Sequence, residues 1–572
     1  MNIDGILKFV LKKSGANLSD MLPIFALSAL ACLPIFLYGI PNSADMAQHY
    51  QFAVTFYDSV SEGIWYPSLA HLTNTGFGDV GVRFYPPFSY YVLVAFRFLT
   101  GDWYYASCAA FFVWFLVSGV GVYLWAKEWF SRRAAVFAAI IYLFIPYHVN
   151  ELYNSFLYAE FAASAILPFC FLFVTRICRR ENSADILGLA ISYALLILTN
   201  LPLALIGSIS LLVYALFSLD RKLYFKQTAR LALSVFLGLA ASSFYWLKMI
   251  LEIGFVKHNS PVYSTTDRYD FHNHFAFSYY FMQAADPQVL KSLWFLDTLL
   301  IVSLGVFLPS IIVFFRSRNS DDAPRLSGVL AVFICALFLT TYLSQPIWEN
   351  IPQLQKVQFP WRWMAIVSLC GVIFNAAVFE RVLEYFRTEK RWLAVLVFGL
   401  IFPAFCFTTI KIMRPVDQNA RAYFNPIVER LRKSGSYECW MPVWVKNERL
   451  GEVALSYKER PRETLSDRQT EKLIRFPAGE AVDAQLKAVY YPHWQATVNG
   501  EKTAVGKAAN GTVLLRIPAE EALVKLEFIE PVYVRASRYV SLFCWLAIFG
   551  FAVTLILPAV RLKMSGRFPE KQ

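Results

Sequence analysis

Charge is scarce. Asp, Glu, Lys and Arg supply 16% of the 572 residues, where a soluble domain carries about a quarter, and this excludes an ordinary water-soluble enzyme. The familiar nucleotide and nucleophile motifs are missing too: there is no Walker loop, no Gly-rich dinucleotide fingerprint, no Ser nucleophile elbow and no Cys/His pair at zinc spacing. A nucleotide-linked donor therefore has no visible cradle. Of nine cysteines only Cys439 falls clearly in an external segment, so no disulfide framework is implied. No small-residue cleavage site follows the first apolar run, which is expected to stay as an uncleaved anchor. No internal repeat of the kind seen in many transporters is visible.

Apolar residues take the place of charge, at 57% of the chain. Runs of bilayer-spanning length fall at roughly 22–40, 104–126, 134–149, 158–175, 185–200, 203–219, 230–251, 293–315, 328–345, 363–380, 392–411 and 537–559, about twelve spans at about 20 residues each. The chain reads as a polytopic α-helical membrane protein. With the amino terminus inside, the basic groups Lys8, Lys12 and Lys13, Arg132 and Arg133, Arg179 and Arg180, Arg221 and Lys222, Arg381, and Arg567 and Lys571 all fall on the cytoplasmic side. Both termini are then cytoplasmic. The net charge of +12 is mostly this topology signal, spread over short loops, and it does not point to nucleic acid.

Three segments face outward in this topology: 41–103, 252–292 and 412–536. The organisation is thus a membrane domain over 1–411 with the first two as its external loops, an external domain over 412–536, and a last span with a basic tail over 537–572. Within the external domain an amphipathic helix is expected near Tyr423 to Lys433. Strands follow near 487–491, 494–498, 512–516 and 523–529, with Asn499-Gly500 and Asn510-Gly511 as hairpin turns. This predicts a β-rich, sandwich or jelly-roll-like module. Trp494 in it fits either a sugar platform or a strand core.

The first external segment carries the most informative polar residues. In Asp45-x-x-x-His49 both side chains share one face if the stretch is helical. Asp45 can serve as a general base or as a helix N-cap. Residues 87–99 are apolar, short and carry Arg97, which suits an interfacial helix started by Pro86-Pro87. Arg362, beside Trp361 and Trp363, suits either phosphate binding, in concert with Arg83 and Lys356, or an interfacial anchor. Glu160 sits at or just inside an apolar span, a costly place for a carboxylate, as a site residue or a structural ion pair. Tyr85, Tyr153 and Tyr158 suit sugar contacts or interfacial packing. His272-x-His274, near Asp267 and Asp270, could hold a divalent cation or be a solvated loop; no metal site is assigned, and no cofactor is certain.

Three stretches resemble a known family. Tyr153-Asn-Ser-Phe-Leu-Tyr158-Ala-Glu160 is similar to its Tyr-Arg-Gly-x-x-x-Glu element, Gln358-Phe-Pro-Trp361-Arg362 to its Gln-Phe-Pro-Trp-Arg signature, and Tyr490-Tyr-Pro-His-Trp494-Gln-Ala-Thr-Val-Asn-Gly500 to its Tyr-Tyr-Pro-Gly-Trp stretch. The family is that of the YfhO-like and 6-pyruvoyl-tetrahydropterin synthase-related membrane proteins, and the layout resembles the GT-C superfamily of membrane glycosyltransferases. Asn154 stands where the pattern often has Arg, and His493 where it has Gly.

The resemblance implies a GT-C-like fold and transfer of a sugar from a polyprenyl-phosphate donor to a glycan, lipid or protein acceptor of the cell envelope. Asp45 would be the base, Arg362, Arg83 and Lys356 would hold the donor phosphate, and His49, Tyr85, Tyr153, Tyr158, Glu160, Gln358 and Trp361 would line the substrate. The expected place is the bacterial inner membrane, among its lipids, with the active site on the periplasmic face. Two other readings use the same residues: a transporter or flippase of lipid-linked saccharide, and a non-catalytic scaffold of envelope assembly.

Overall fold

The computed structural model describes residues 17–43, 45–260, 269–278, 287–316, 323–385, 391–414, 417–445 and 460–564. Lys8, Lys12, Lys13, Asp267, Arg567 and Lys571 lie outside the described residues. The chain begins with α1 (Leu18–Tyr38), then β1 (Ile40–Pro41), α2 (Met46–Ser61), α3 (Phe88–Thr100), α4 (Trp103–Ala126), α5 (Arg132–Phe144), α6 (Pro146–Tyr153) and α7 (Tyr158–Arg179). It continues through α8 (Ser183–Ile197), α9 (Leu201–Ser218), α10 (Tyr224–Glu252), α11 (Pro287–Arg316), α12 (Ala323–Thr340), α13 (Met364–Tyr385) and α14 (Arg391–Ile412). After β2 (Gln418–Asn419) and α15 (Arg421–Leu431) comes the strand-rich part, and α16 (Val532–Met564) closes the chain.

Helices occupy every one of the apolar runs, but length does not carry all of them across a bilayer. Eight helices among the described residues are long and apolar enough to span, or nine if the bent pair α5–α6 counts as one. The apolar parts of α8, α12 and α14 are shorter. The bend of 41° between α5 and α6 has a local cause. Pro146 has no N–H to give and pushes Ile145 to extended backbone, φ −60 and ψ 132.

α4 packs against α1, α5 and α7, and α10 packs against α8 and α16, so the last helix docks on the middle of the chain. At one end of the bundle sit α2, α3 and the strand module. Pro87 precedes α3, as the Pro-Pro pair predicts. Asp102 caps α4 by accepting from the Tyr105 N–H at 3.0 Å.

The module has two antiparallel sheets. The first, in order β3 (Glu463–Arg468), β4 (Glu471–Phe476), β10 (Ala522–Phe528), β6 (Trp494–Val498), β7 (Glu501–Thr503), has five strands. The second, in order β5 (Val482–Val489), β9 (Thr512–Ile517), β8 (Gly506–Lys507), has three. Asn499 and Gly500 turn β6 into β7 with φ of +53° and +87°, the left-handed pair that a two-residue hairpin needs. Trp494 is core: its indole N–H donates to Val489 O at 3.0 Å and its ring meets Phe528 edge-on.

Candidate functional site

At the module end of the bundle, four segments bring polar groups around Tyr85. Asp45 stands immediately before α2, half-buried, and its side chain makes no capping bond to that helix. The capping role that sequence alone left open is therefore not the one it plays. Burial holds the Tyr85 phenol above its ordinary range, and Asp45 adds to this; Arg362, Cys439 and Glu160 act on the same hydroxyl. Tyr85 thus feels both a carboxylate from the first loop and a guanidinium from the turn before α13.

That turn is built by its own sequence. Gln358 adopts φ +70°, a strained conformation for a side-chain-bearing residue, and Phe359 is extended before Pro360. The chain then winds through a short 3-10 turn, Pro360–Trp363. This folds Arg362 back so that one Nη donates to Val357 O at 2.7 Å. Its Nε faces Glu160 at 3.0 Å, and Glu160 in turn accepts from the Tyr147 hydroxyl at 2.6 Å. Trp361 stacks on Phe359 with ring centroids 5.1 Å apart, and the guanidinium of Arg362 lies 5.0 Å from the Phe359 ring centroid. The second Nη of Arg362 has no hydrogen-bond partner among the described residues. Glu160 thus makes the structural ion pair that was one of its two readings.

Lys356 is exposed and donates to Asn259 Oδ1 at 3.1 Å. It joins Arg362 around His258, whose imidazole burial and these two cations push down to about 4, so that it is neutral at physiological pH. His258 stacks on Trp440 at 4.5 Å, and Trp440 meets Tyr85 edge-on at 6.0 Å. The backbone at Gly81 allows this approach, because a Cβ there would lie 2.7 Å from the Trp440 Cβ.

The expected convergence of three cations is corrected. Arg83 is fully buried elsewhere, between Glu252 at the end of α10 and Glu530 before α16. It makes two bonds to each carboxylate, at 2.5 and 2.8 Å to Glu252 and at 2.6 Å twice to Glu530. Tyr491 and Tyr533 donate to Glu252 at 2.7 and 2.8 Å, His493 lies 3.2 Å from it, and Ser68 donates to Glu530 at 2.7 Å. This clasp holds the first loop, α10, the module and α16 together.

Other expected site residues are also engaged inside the fold. Tyr153 is buried with its hydroxyl on Ala31 O, and Tyr158 is buried with its hydroxyl on Ser89 O at 2.9 Å. His49 shares Asp45's end of α2, but its Nδ1 hydrogen-bonds the Tyr90 hydroxyl at 2.7 Å and burial lowers it to about 3. It packs beside Tyr85 as a neutral ring. His272 is held by Asp270 at 2.6 Å and Glu349 at 3.3 Å. Among the described residues no three His, Cys, Asp or Glu side chains gather as a metal site; Asp267 lies outside them.

Sequence reasoning missed Tyr147 and Trp440, and marked His258 only as one of seven histidines at the outer face. Tyr147 directly follows the helix-breaking Pro146, and that junction was the one available signal.

The family model of the 6-pyruvoyl-tetrahydropterin synthase related domain, a membrane protein, matches residues 82–413, more than half of the chain. The chain belongs to this family. The match covers Tyr85, Glu160, Lys356 and Arg362, while Asp45 and the module lie outside it. Among solved structures, this family member is similar to ArnT from Cupriavidus metallidurans bound to undecaprenyl phosphate, with 15% identity, TM-score 0.42, 73% of this chain and 77% of that chain covered. It is also similar to the arabinofuranosyltransferase AftD from Mycobacteria, with 14% identity and TM-score 0.44, over 72% of this chain but 28% of that one. No curated protein matches the sequence.

Proposed function

We propose that this chain is a GT-C-like membrane glycosyltransferase. It moves a sugar from a polyprenyl-phosphate donor to a glycan, lipid or protein of the cell envelope, on the exterior face of the bacterial inner membrane. The observation that carries the proposal is the turn that holds Arg362 against Glu160 with one Nη unpartnered, together with a carboxylate, Asp45, that does not cap its helix and acts on the same Tyr85 hydroxyl.

The chemistry is balanced by these two groups. The acceptor oxygen bonds to the anomeric carbon, the bond from that carbon to the phosphate oxygen breaks, and the electron pair leaves with the lipid phosphate. Asp45 takes the acceptor proton. Arg362 and Lys356 stabilise the departing phosphate charge, with Glu160 and Tyr147 fixing the guanidinium plane. Trp361 and Tyr85 supply aromatic surface for the donor. Neither His49 nor Arg83 has a part in the step.

One observation favours transport: α5 and α6 form a broken helix at a membrane span, a device of transporters. Purified Asp45→Asn and Arg362→Ala chains separate the readings. A transferase retains donor binding in the first but loses about 10²- to 10⁴-fold in turnover, and loses donor binding in the second. Mass spectrometry of envelope glycans and lipids from cells with either variant names the missing sugar. Full transfer by Asp45→Asn removes the base, and an unchanged glycan profile with altered lipid-linked saccharide distribution selects transport.

A further inference from the structure

Beside Asp45 an open cleft of about 240 Å³ runs between α2 and the segment that follows α15. Gln51, Ser434, Gly435, Ser436 and Tyr437 line it with two apolar side chains, and no charged side chain lines it among the described residues. Ala47, two residues after Asp45, is part of the lining, and Asp45 acts on Tyr437 as well: burial raises the phenol above its ordinary range and Asp45 adds to the rise, while the hydroxyl meets the Gln48 backbone.

The wall of the cleft is rigid. Asn74 takes φ +54°, a strained conformation held by its contacts. Its amide nitrogen donates to Ser436 Oγ at 2.5 Å and to Gly78 O at 2.9 Å, and its carbonyl oxygen accepts from Ser436 N at 2.8 Å. Its own N–H donates to Ser434 O at 2.9 Å, and the N–H of Thr75, also at positive φ, to Lys433 O at 3.1 Å. From the other side Gln51, 3% exposed, donates to Ser434 Oγ at 3.0 Å and Gly435 O at 3.3 Å. Two residues at positive φ and a buried amide thus fix Ser434 and Ser436, whose hydroxyls are also tied to Leu431 O and Asp79, and such preformed geometry lowers the ordering cost of binding.

We infer that this cleft is the acceptor subsite and that it takes a single uncharged sugar ring. This rests on the transferase reading above. The volume lies below the ~300 Å³ at which drug-sized ligand sites begin, so it suits one ring and not a lipid tail or a folded partner. Hydroxyl and amide groups match sugar hydroxyls, Tyr437 offers a ring to lie against the apolar sugar face, and the absence of charge disfavours a phosphate or carboxylate ligand. A ring seated there lies against the first turn of α2, which Asp45 immediately precedes.

Gly435 provides the test. A Cβ at this position meets nothing nearer than Asn74 Oδ1 at 3.9 Å, so Gly435→Trp fills the cleft without straining the backbone. Full-length protein in nanodiscs is titrated with a panel of methyl hexosides and methyl pentosides by saturation-transfer difference NMR, and separately with undecaprenyl phosphate. The expected result is ring-proton saturation for at least one glycoside, weakened at least tenfold by Gly435→Trp and by Tyr437→Leu, while undecaprenyl phosphate binding stays at the wild-type level. The second variant removes the ring without adding bulk and serves if the first does not fold. No glycoside signal in the wild type, or a signal unchanged in both variants, overturns the subsite. Undecaprenyl phosphate binding that survives Arg362→Ala instead overturns the donor reading, whatever the glycosides do.

Discussion

Replacing Arg83 by Met distinguishes a structural clasp from a phosphate ligand. The substitution preserves side-chain bulk and removes the one cation between Glu252 and Glu530, which are 0% and 8% exposed. Removing one partner of a buried pair costs about 3–5 kcal/mol, because the other charge stays desolvated. Here Glu252 loses its guanidinium, Glu530 keeps only Arg538 at 3.4 Å, and four hydrogen bonds are lost, so a cost of about 3–5 kcal/mol is expected. That rivals the whole stability of many domains. Purified full-length protein should melt several degrees earlier and become sensitive to trypsin in the first loop and at the module boundary. The triple variant Arg83→Met, Glu252→Gln, Glu530→Gln should recover part of the loss, since no buried carboxylate is left without its cation, although Arg538 and the buried Lys248 lose Glu530. An Arg83→Met chain with wild-type melting and abolished undecaprenyl phosphate binding would refute the clasp and restore Arg83 to the donor site.

Acid should open the same clasp. Burial would raise the Glu530 carboxyl, but Arg83 overrides it and holds the group at about 2, below its ordinary 4.5. A depressed carboxylate contributes its stability fully above the unfolded value and loses it as pH falls from 4.5 towards 2; melting midpoints should therefore fall over that window in the wild type and less steeply in Glu530→Gln, where Glu252, the other carboxylate paired with Arg83, still titrates. Gly81→Ala should overpack Trp440, at a cost of about 1–3 kcal/mol, seen as a lower melting midpoint. Gly500→Ala, at φ +87°, should cost about 1–2 kcal/mol and raise hydrogen exchange in the β6–β7 hairpin while leaving the membrane helices protected.

The bundle was legible because apolar runs are a direct statement about solvent, and the hairpins because Asn-Gly pairs demand left-handed backbone. β3 was not, since Glu463–Arg468 is an exposed edge strand with no apolar alternation. Arg362 and Glu160 stood out as ionisable groups at apolar boundaries. Arg83 could not be told from a ligand-binding arginine, because its partners lie 169 and 447 residues away and nothing local marks the pairing. Tyr153 and Tyr158 look interfacial in a one-dimensional reading, yet helix packing turns both inward. The cleft beside Asp45 was invisible for a related reason: Asn74 and Gln51 from the first loop shape a wall that belongs to residues 434–436.

The clasp also sets an order of events during synthesis. Arg83 leaves the ribosome 447 residues before Glu530, a gap of roughly 20–90 s at ordinary elongation rates. Throughout that interval half of its counter-charge does not exist. The first loop therefore cannot reach its final closed form until the last membrane helix begins to emerge, and nascent chains arrested before Glu530 should remain open to protease at a site that the finished protein seals.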